Sequence, residues 1–305
     1  MDNNLKDIKL TIAVITMNRQ AQLLEALESC VACDLPINTE FVVIDNASTD
    51  ETEKVAVDYL ESCGYEYYYE KMQENLGCGG GRNYAFEKSR GEYVYVLDDD
   101  AVISDQNKDF FKRALSYFEQ DEKIVTLTTQ IYDTAWQRNR LDSSGKKYRN
   151  ELYLCSMFCG GSHFLKRSFF REPPYLPNKY GYEELMPSLY VYDDGKVNVF
   201  ASDLLIVHNP LVNKWNFDEK KNQPLLINGF GVMYAVKQMM FPIVFSPIIK
   251  AIHNYRCFRH LRHFADWKSH MKKVVAETRE IYKIKKRIKV KTVFKLVRKF
   301  GISIF

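Results

Sequence analysis

Three short apolar runs, each closing on a polar cluster, constrain the fold of this chain more than any other feature. Leu10 to Ile15 (LTIAVI), Phe41 to Ile44 (FVVI) and Tyr93 to Leu97 (YVYVL) are four to six residues long. That length suits buried strands and is too short for helices. Between them lie segments of helical length: Gln20 to Val31, a stretch ending near Cys63 and opened by the S-x-x-E capping spacing of Ser48 to Glu51, and Gly80 to Ser89. Two weaker strands, Tyr65 to Tyr69 and Ile124 to Leu127, and a helix from about Asn107 to Gln120 continue the alternation. The pattern predicts βαβ units and a mainly parallel sheet flanked by helices. Ligands bind such sheets at the carboxyl ends of the strands. Polar residues gather at those ends: Thr16 to Arg19, Asp45 to Thr49, and Asp98 to Asp100.

After residue 130 the alternation fades. Trp136 to Asn150 is polar and reads as a loop or hairpin, Gly160-Gly161-Ser162-His163 as the approach to a helix, and Val197 to Val207 as two strand-like runs. From about Leu225 the chain turns helical, apolar and then basic. A catalytic domain over 1–222 and a helical region over 223–305 follow from this change. Seven cysteines are scattered without a disulfide framework, and Cys30-x-x-Cys33 has no second pair at metal-site spacing, so reduced thiols are expected. The first ten residues (MDNNLKDIKL) have no apolar stretch of the kind a secretory signal needs, which points to the cytosol.

Asp98-Asp99-Asp100 carries the most chemistry. Three adjacent carboxylates repel one another, and strand stability gives no reason for them; a hard divalent cation, magnesium or manganese, would relieve the repulsion and neutralise a diphosphate. Asn75 to Asn83 (NLGCGGGRN) combines glycines that admit close backbone approach with the start of a helix, and Arg82 can pair with a phosphate. A glycine-rich turn without a ligand fits the same residues. Asp45 can accept a hydrogen bond from a base or ribose, while Ser48 caps the next helix.

In their order and spacing, VITMNR, VVIDNASTDET, ENLGCGGGRN and GEYVYVLDDDAV resemble the family 2 glycosyltransferases of GT-A fold, with the nearest likeness to bacterial rhamnosyl- and galactofuranosyltransferase-like members. The resemblance covers roughly residues 9 to 210 and implies a nucleotide-binding half to about residue 130 and an acceptor half over 131–222. It implies that Thr16, Arg19 and Asp45 border the nucleotide, that Asn75, Gly80, Arg82 and Asn83 lie against the sugar-diphosphate, and that Asp98 and Asp99 join them there. Asp98 and Asp100 become the metal pair, with His208 completing the manganese or magnesium site. Glu183-Glu184 stands where the family carries an acidic pair, usually Glu-Asp; Glu184 is favoured over Glu183 as the base that takes the acceptor proton, although its longer side chain departs from the pattern. Gly160 to His163 would line the sugar pocket, and Trp136 and Trp215 are alternatively stacking platforms or buried tryptophans.

The expected reaction is inverting transfer from a nucleoside-diphosphate sugar, a UDP-sugar or dTDP-rhamnose, to a glycan or lipid-linked acceptor. A nucleotidyltransferase would want a basic glycine-rich loop near the N-terminus, where residues 16–20 supply only Arg19. A degenerate glycan-binding module would not need the acidic set. From Lys283 to Phe305 the chain has nine basic residues and no acidic one, interleaved with Ile284, Ile288, Val293, Phe294 and Leu296. This predicts amphipathic helices on an anionic membrane surface at its inner, cytoplasmic face, or else a contact between copies of the chain. No recognisable module supports nucleic acid as a partner.

Overall fold

The computed structural model describes residues 7–140, 145–178, 181–211, 220–281, 284 and 286–305. Among them are the strands β1 (Leu10–Thr16), β2 (Thr39–Asp45), β3 (Glu66–Lys71), β4 (Tyr93–Asp98), β5 (Ala101–Ile103) and β6 (Ile124–Asp133). The remaining strands are β7 (Arg138–Asn139), β8 (Lys147–Arg149), β9 (Leu152–Leu154), β10 (Ser162–Lys166) and β11 (Val197–His208). The helices are α1 (Gln20–Val31), α2 (Thr52–Cys63), α3 (Gly77–Lys88), α4 (Phe110–Gln120), α5 (Leu185–Asp193), α6 (Gln223–Met240), α7 (Ser246–Leu261), α8 (Trp267–Ile281) and α9 (Val290–Phe300).

All strands join one sheet of order β3-β2-β1-β4-β10-β6-β11-β9-β8, with β5 on β11 and β7 on β6. β1, β2, β3 and β4 are parallel. β10 runs antiparallel to both β4 and β6, and β11 runs parallel to β6. Hence β1, β2, β4, β6 and β11 all point one way, and their last residues, Thr16, Asp45, Asp98, Asp133 and His208, share one edge of the sheet.

Side-chain alternation along the strands builds two apolar layers. Leu10, Ile12, Val14, Phe41, Val43, Tyr95 and Leu97 face α1, α2 and α4, where Tyr95 packs on Phe110, Phe111 and Phe164. Ala13, Val42, Ile44, Val94 and Val96 face α3 through Ala85 and Phe86.

Several sequence expectations are corrected. α3 begins at Gly77, three residues before the predicted Gly80, so the glycine-rich stretch is the first turn of the helix rather than a loop before it. The capping box does not form: α2 starts at Thr52, Asp50 Oδ1 accepts from the Thr52 amide and hydroxyl, and the Ser48 hydroxyl is engaged by the loop after β1. Gly160-Gly161 leads into β10, not a helix, because Ser162 to Lys166 completes the ladder between β4 and β6. Val197 to His208 is one strand whose register slips between Ala201 and Leu205. The helical region past residue 222 is not separate in its packing. Val232, Val236, Met240, Val293, Leu296 and Phe305 belong to the same buried cluster as the sheet. Asp193 Oδ1 accepts from the Lys289 amide and the Thr292 hydroxyl, both at 2.7 Å, tying the start of α9 to the end of α5.

Candidate active site

The loops after β1 and β2 are stitched together by polar side chains. The Asn18 amide donates to Ser48 Oγ at 2.8 Å, and Asn18 Oδ1 accepts from the Thr49 amide at 2.7 Å. Asn18 and Ala47 both sit at positive φ (54° and 67°), a conformation that L side chains adopt only where surrounding bonds enforce it. Asp45 is fully buried; Oδ1 accepts from the Ser48 amide and Oδ2 from the Tyr69 hydroxyl. Contact with a base would require the groups that cover this carboxylate to move aside. Asn75 Oδ1 accepts from the Gly77 amide, closing the start of α3.

The acidic run is divided between two arginines. Arg19 Nη1 donates to Asp99 Oδ1 at 2.6 Å and to Asp100 Oδ2 at 2.7 Å. Burial pushes the Asp99 carboxyl up to about 6 against the pull of Arg19, with Asp100 adding to the rise. Asp100 is also buried, yet His208 and Arg19 outweigh that and hold it below the usual carboxylate range. His208 Nε2 lies 3.2 Å from Asp100 Oδ1, and its Nδ1 is 3.1 Å from Asp133 Oδ2. Asp98, Asp100 and His208 each present a ligand atom, all within 4.8 Å of one another. Two carboxylate oxygens and an imidazole nitrogen fit magnesium or manganese.

Arg82 lies beneath this group, almost completely buried. Its Nη2 donates to Asp98 Oδ1 at 2.8 Å, and its Nη1 to Glu183 Oε1 at 2.7 Å and Glu184 Oε1 at 2.8 Å. One planar cation thus joins the acidic run to the Glu183-Glu184 pair. Burial, then Glu183, pushes the Glu184 carboxyl up to about 8, with Arg82 opposing the rise. Glu183 Oε2 is buried without a hydrogen-bond partner among the described residues. Space for the cluster depends on Gly160, where an added Cβ would stand 2.0 Å from Glu184 Oε1 and 2.6 Å from Arg82 Nη1. The turn that carries the glutamates has Gly181 and Tyr182 at positive φ (90° and 61°).

The site therefore brings Arg19, Arg82, Asp98, Asp99, Asp100, Glu183, Glu184 and His208 together, with Thr16 buried at the end of β1. Two expected residues have other tasks. Asn83 exchanges two 2.8 Å hydrogen bonds with the Tyr175 backbone, so its amide anchors the 175–178 loop instead of facing a diphosphate. His163 is fully buried against the Tyr175 hydroxyl at 2.6 Å, where burial depresses its basicity. Trp136 is half-buried with the Arg138 and Arg140 guanidiniums 5.3 and 5.5 Å from its ring, and Trp215 lies outside the described residues. Sequence reasoning missed Asp133 and Arg140, paired at 2.6 Å beside His208. Asp133 had a legible signal, an apolar strand ending on an acid as at Asp45 and Asp98; reading β6 as ending at Leu127 concealed it.

An open α/β sheet with an acidic site at its carboxyl edge is the arrangement found in the GT-A fold. The solved structures agree. TarS residues 1–349 of S. aureus, in complex with UDP-GlcNAc, superposes with a TM-score of 0.63 over 97% of this chain and 89% of that one, at 16% identity. The mannosyltransferase PcManGT of Pyrobaculum calidifontis, in complex with GDP-Man and Mn2+, gives 0.59 over 97% and 81%, at 17% identity. The chain belongs to glycosyl transferase family 2, whose pattern matches residues 11–172, more than half of its 305 residues. In sequence it is 31% identical over 123 residues to the poly(ribitol-phosphate) beta-N-acetylglucosaminyltransferase TarS of Staphylococcus aureus, 39% of this chain and 20% of that protein. It is 32% identical over 92 residues to the GalNAc(5)-diNAcBac-PP-undecaprenol beta-1,3-glucosyltransferase of Campylobacter jejuni, 30% of this chain and 29% of that one. The sequence match thus spans less than a third of either relative, and neither name mentions rhamnose or galactofuranose.

Proposed function

We propose that the chain is an inverting transferase that moves a sugar from a nucleoside-diphosphate sugar to a hydroxyl of a glycan or lipid-linked acceptor in building a bacterial surface polysaccharide. A UDP-sugar is the favoured donor, with dTDP-rhamnose the alternative. One observation carries the reading: Arg82 joins the Asp98 side of the metal-ligand group to the buried Glu183-Glu184 pair. The family supports sugar transfer, and the relatives' names support surface-polymer and polyprenol-linked acceptors. Family membership also displaces the nucleotidyltransferase alternative. The reading includes work at the cytoplasmic face of the membrane.

Asp98, Asp100 and His208 would hold Mn2+ or Mg2+, which when bound neutralises the charge of the diphosphate leaving group. Glu184 takes the acceptor proton as the hydroxyl oxygen bonds to the anomeric carbon and the bond to the diphosphate breaks on the opposite face. Burial suits Glu184 to this work, since a carboxyl that binds a proton near neutrality is a stronger base than an exposed one. Arg82 keeps both glutamates in place, and Arg19 holds Asp99 and Asp100 in register. Calorimetric titration with UDP, with and without manganese, should show binding that depends on the metal, and Asp100→Ala should abolish both the metal effect and transfer. UDP binding indifferent to manganese would remove the basis for this reading.

A further inference from the structure

Nine of the thirteen large apolar side chains exposed among the described residues lie beyond residue 240. They are not scattered. Ile243 and Val244, 72% and 71% exposed, form the tip of the elbow between α6 and α7. On α7, Ile248, Tyr255 and Phe258 are exposed along the outward row that also carries Arg259 and Arg262. On α9, Lys291, Phe294, Lys295 and Arg298 recur at the i, i+3, i+4, i+7 spacing of one helix face, and all four are exposed. The elbow and α9 meet: the Phe245 and Phe294 rings are 5.9 Å apart, and the Arg287 guanidinium donates to the Phe241 carbonyl.

The segments that carry this apolar surface are basic and hold no acidic residue of their own. No aspartate or glutamate occurs between Glu219 and Asp266, or anywhere after Glu280. Lys299 is held below the usual lysine range first by burial and then by the neighbouring Lys146 and Lys295. Exposed apolar groups beside exposed cations that have no acid on their own segments are the two halves of an interfacial lipid site.

We propose that the α6–α7 elbow, the outward row of α7 and the Lys291/Phe294/Lys295/Arg298 face of α9 together form a docking surface for an anionic phospholipid bilayer. This deepens the membrane-side reading above and replaces its sequence form. The apolar residues Ile288, Val293 and Leu296, which an amphipathic-helix reading assigns to the lipid, are buried in the core. The elbow inserts, and α7 and α9 supply the charge. Among the described residues no helix is long and apolar enough to cross a membrane. The same helix links this surface to the glutamates: the Tyr182 ring, beside Glu183, packs on Gly229 of α6, about 17 Å along that helix from the elbow.

The test is flotation of the full chain with vesicles of phosphatidylcholine alone, or containing about 30% phosphatidylglycerol. The chain should float with the anionic vesicles and stay behind with the neutral ones. Ile243→Glu/Val244→Glu and, separately, Lys295→Glu/Arg298→Glu should each weaken binding about tenfold or more, with melting temperature unchanged. Equal binding to both vesicle types, or retention of binding by both double variants, overturns the proposal. So does a dimer in sedimentation that the same substitutions dissociate, because the surface then covers a second copy. UDP binding with manganese is measured on the same samples: its loss with flotation intact counts against the catalytic reading, and the converse against this surface.

Discussion

Arg82 shows how much one residue changes in meaning once its neighbours are known. In the sequence it follows a run of glycines at a helix start, which suggests a phosphate ligand. In the structure its guanidinium already holds Asp98, Glu183 and Glu184. Because those carboxylates come from β4 and from the turn before α5, no spacing along the chain could reveal the arrangement. The base proposed here, Glu184, must be ionised to act, and burial raises it from 4.5 to about 8, so turnover should rise as pH increases through about 8. The same shift makes folding less favourable as pH rises across that window, because the folded state binds the proton more tightly. Arg82→Gln removes the cation that opposes the shift and should move the rise to still higher pH, with turnover lowered about 100-fold or more. A pH–rate profile that stays flat from pH 6 to about 9 would exclude Glu184 as the base.

At the scale of elements, the junction between α3 and the 175–178 loop decides whether the site assembles. The Gly79 amide donates to the Asn178 carbonyl at 3.2 Å, and Asn83 clasps the Tyr175 backbone one turn later. A Cβ on Gly79 would stand 1.6 Å from the Leu176 carbonyl oxygen, which is backbone and cannot rotate away. Gly79→Ala should therefore destabilise the chain by about 3 kcal/mol and displace the turn bearing Glu183 and Glu184. Denaturant unfolding would show the loss, and an unchanged midpoint would mean that the loop is not clamped as described. The strand–helix alternation was readable here because each element carries its own periodicity. The start of α3 was not, since glycine has weak helical preference and only docking against a neighbouring backbone favours it inside a first turn.

Across the whole molecule, the basic C-terminal region is part of the core and not a detachable tail. Leu296 is 1% exposed, and Phe305 packs on Phe241 and Phe245. Leu296→Asp should unfold the chain, because it buries an unpaired carboxylate, whereas Phe294→Glu, at a 62% exposed position, should leave the melting temperature within a degree or two. Cutting near residue 283 would therefore test folding before it tested membrane binding, and a soluble, folded truncated protein would contradict the shared core.

Local pattern in the sequence was enough for the α/β class, for the polar ends of β1, β2 and β4, and for singling out Asp98, Asp100, Glu183, Glu184 and His208, which the fold brings together and for which a catalytic site is proposed. These rest on local periodicity and on short motifs, whose physics acts within a few residues. Only the tertiary structure decided that Arg82 bridges the two acidic groups, that Asn83 and His163 are anchors, and that Val293 and Leu296 face inward while Phe294 faces out. An amphipathic pattern says that a helix has an apolar side; what that side meets depends on which other surfaces the completed fold leaves uncovered.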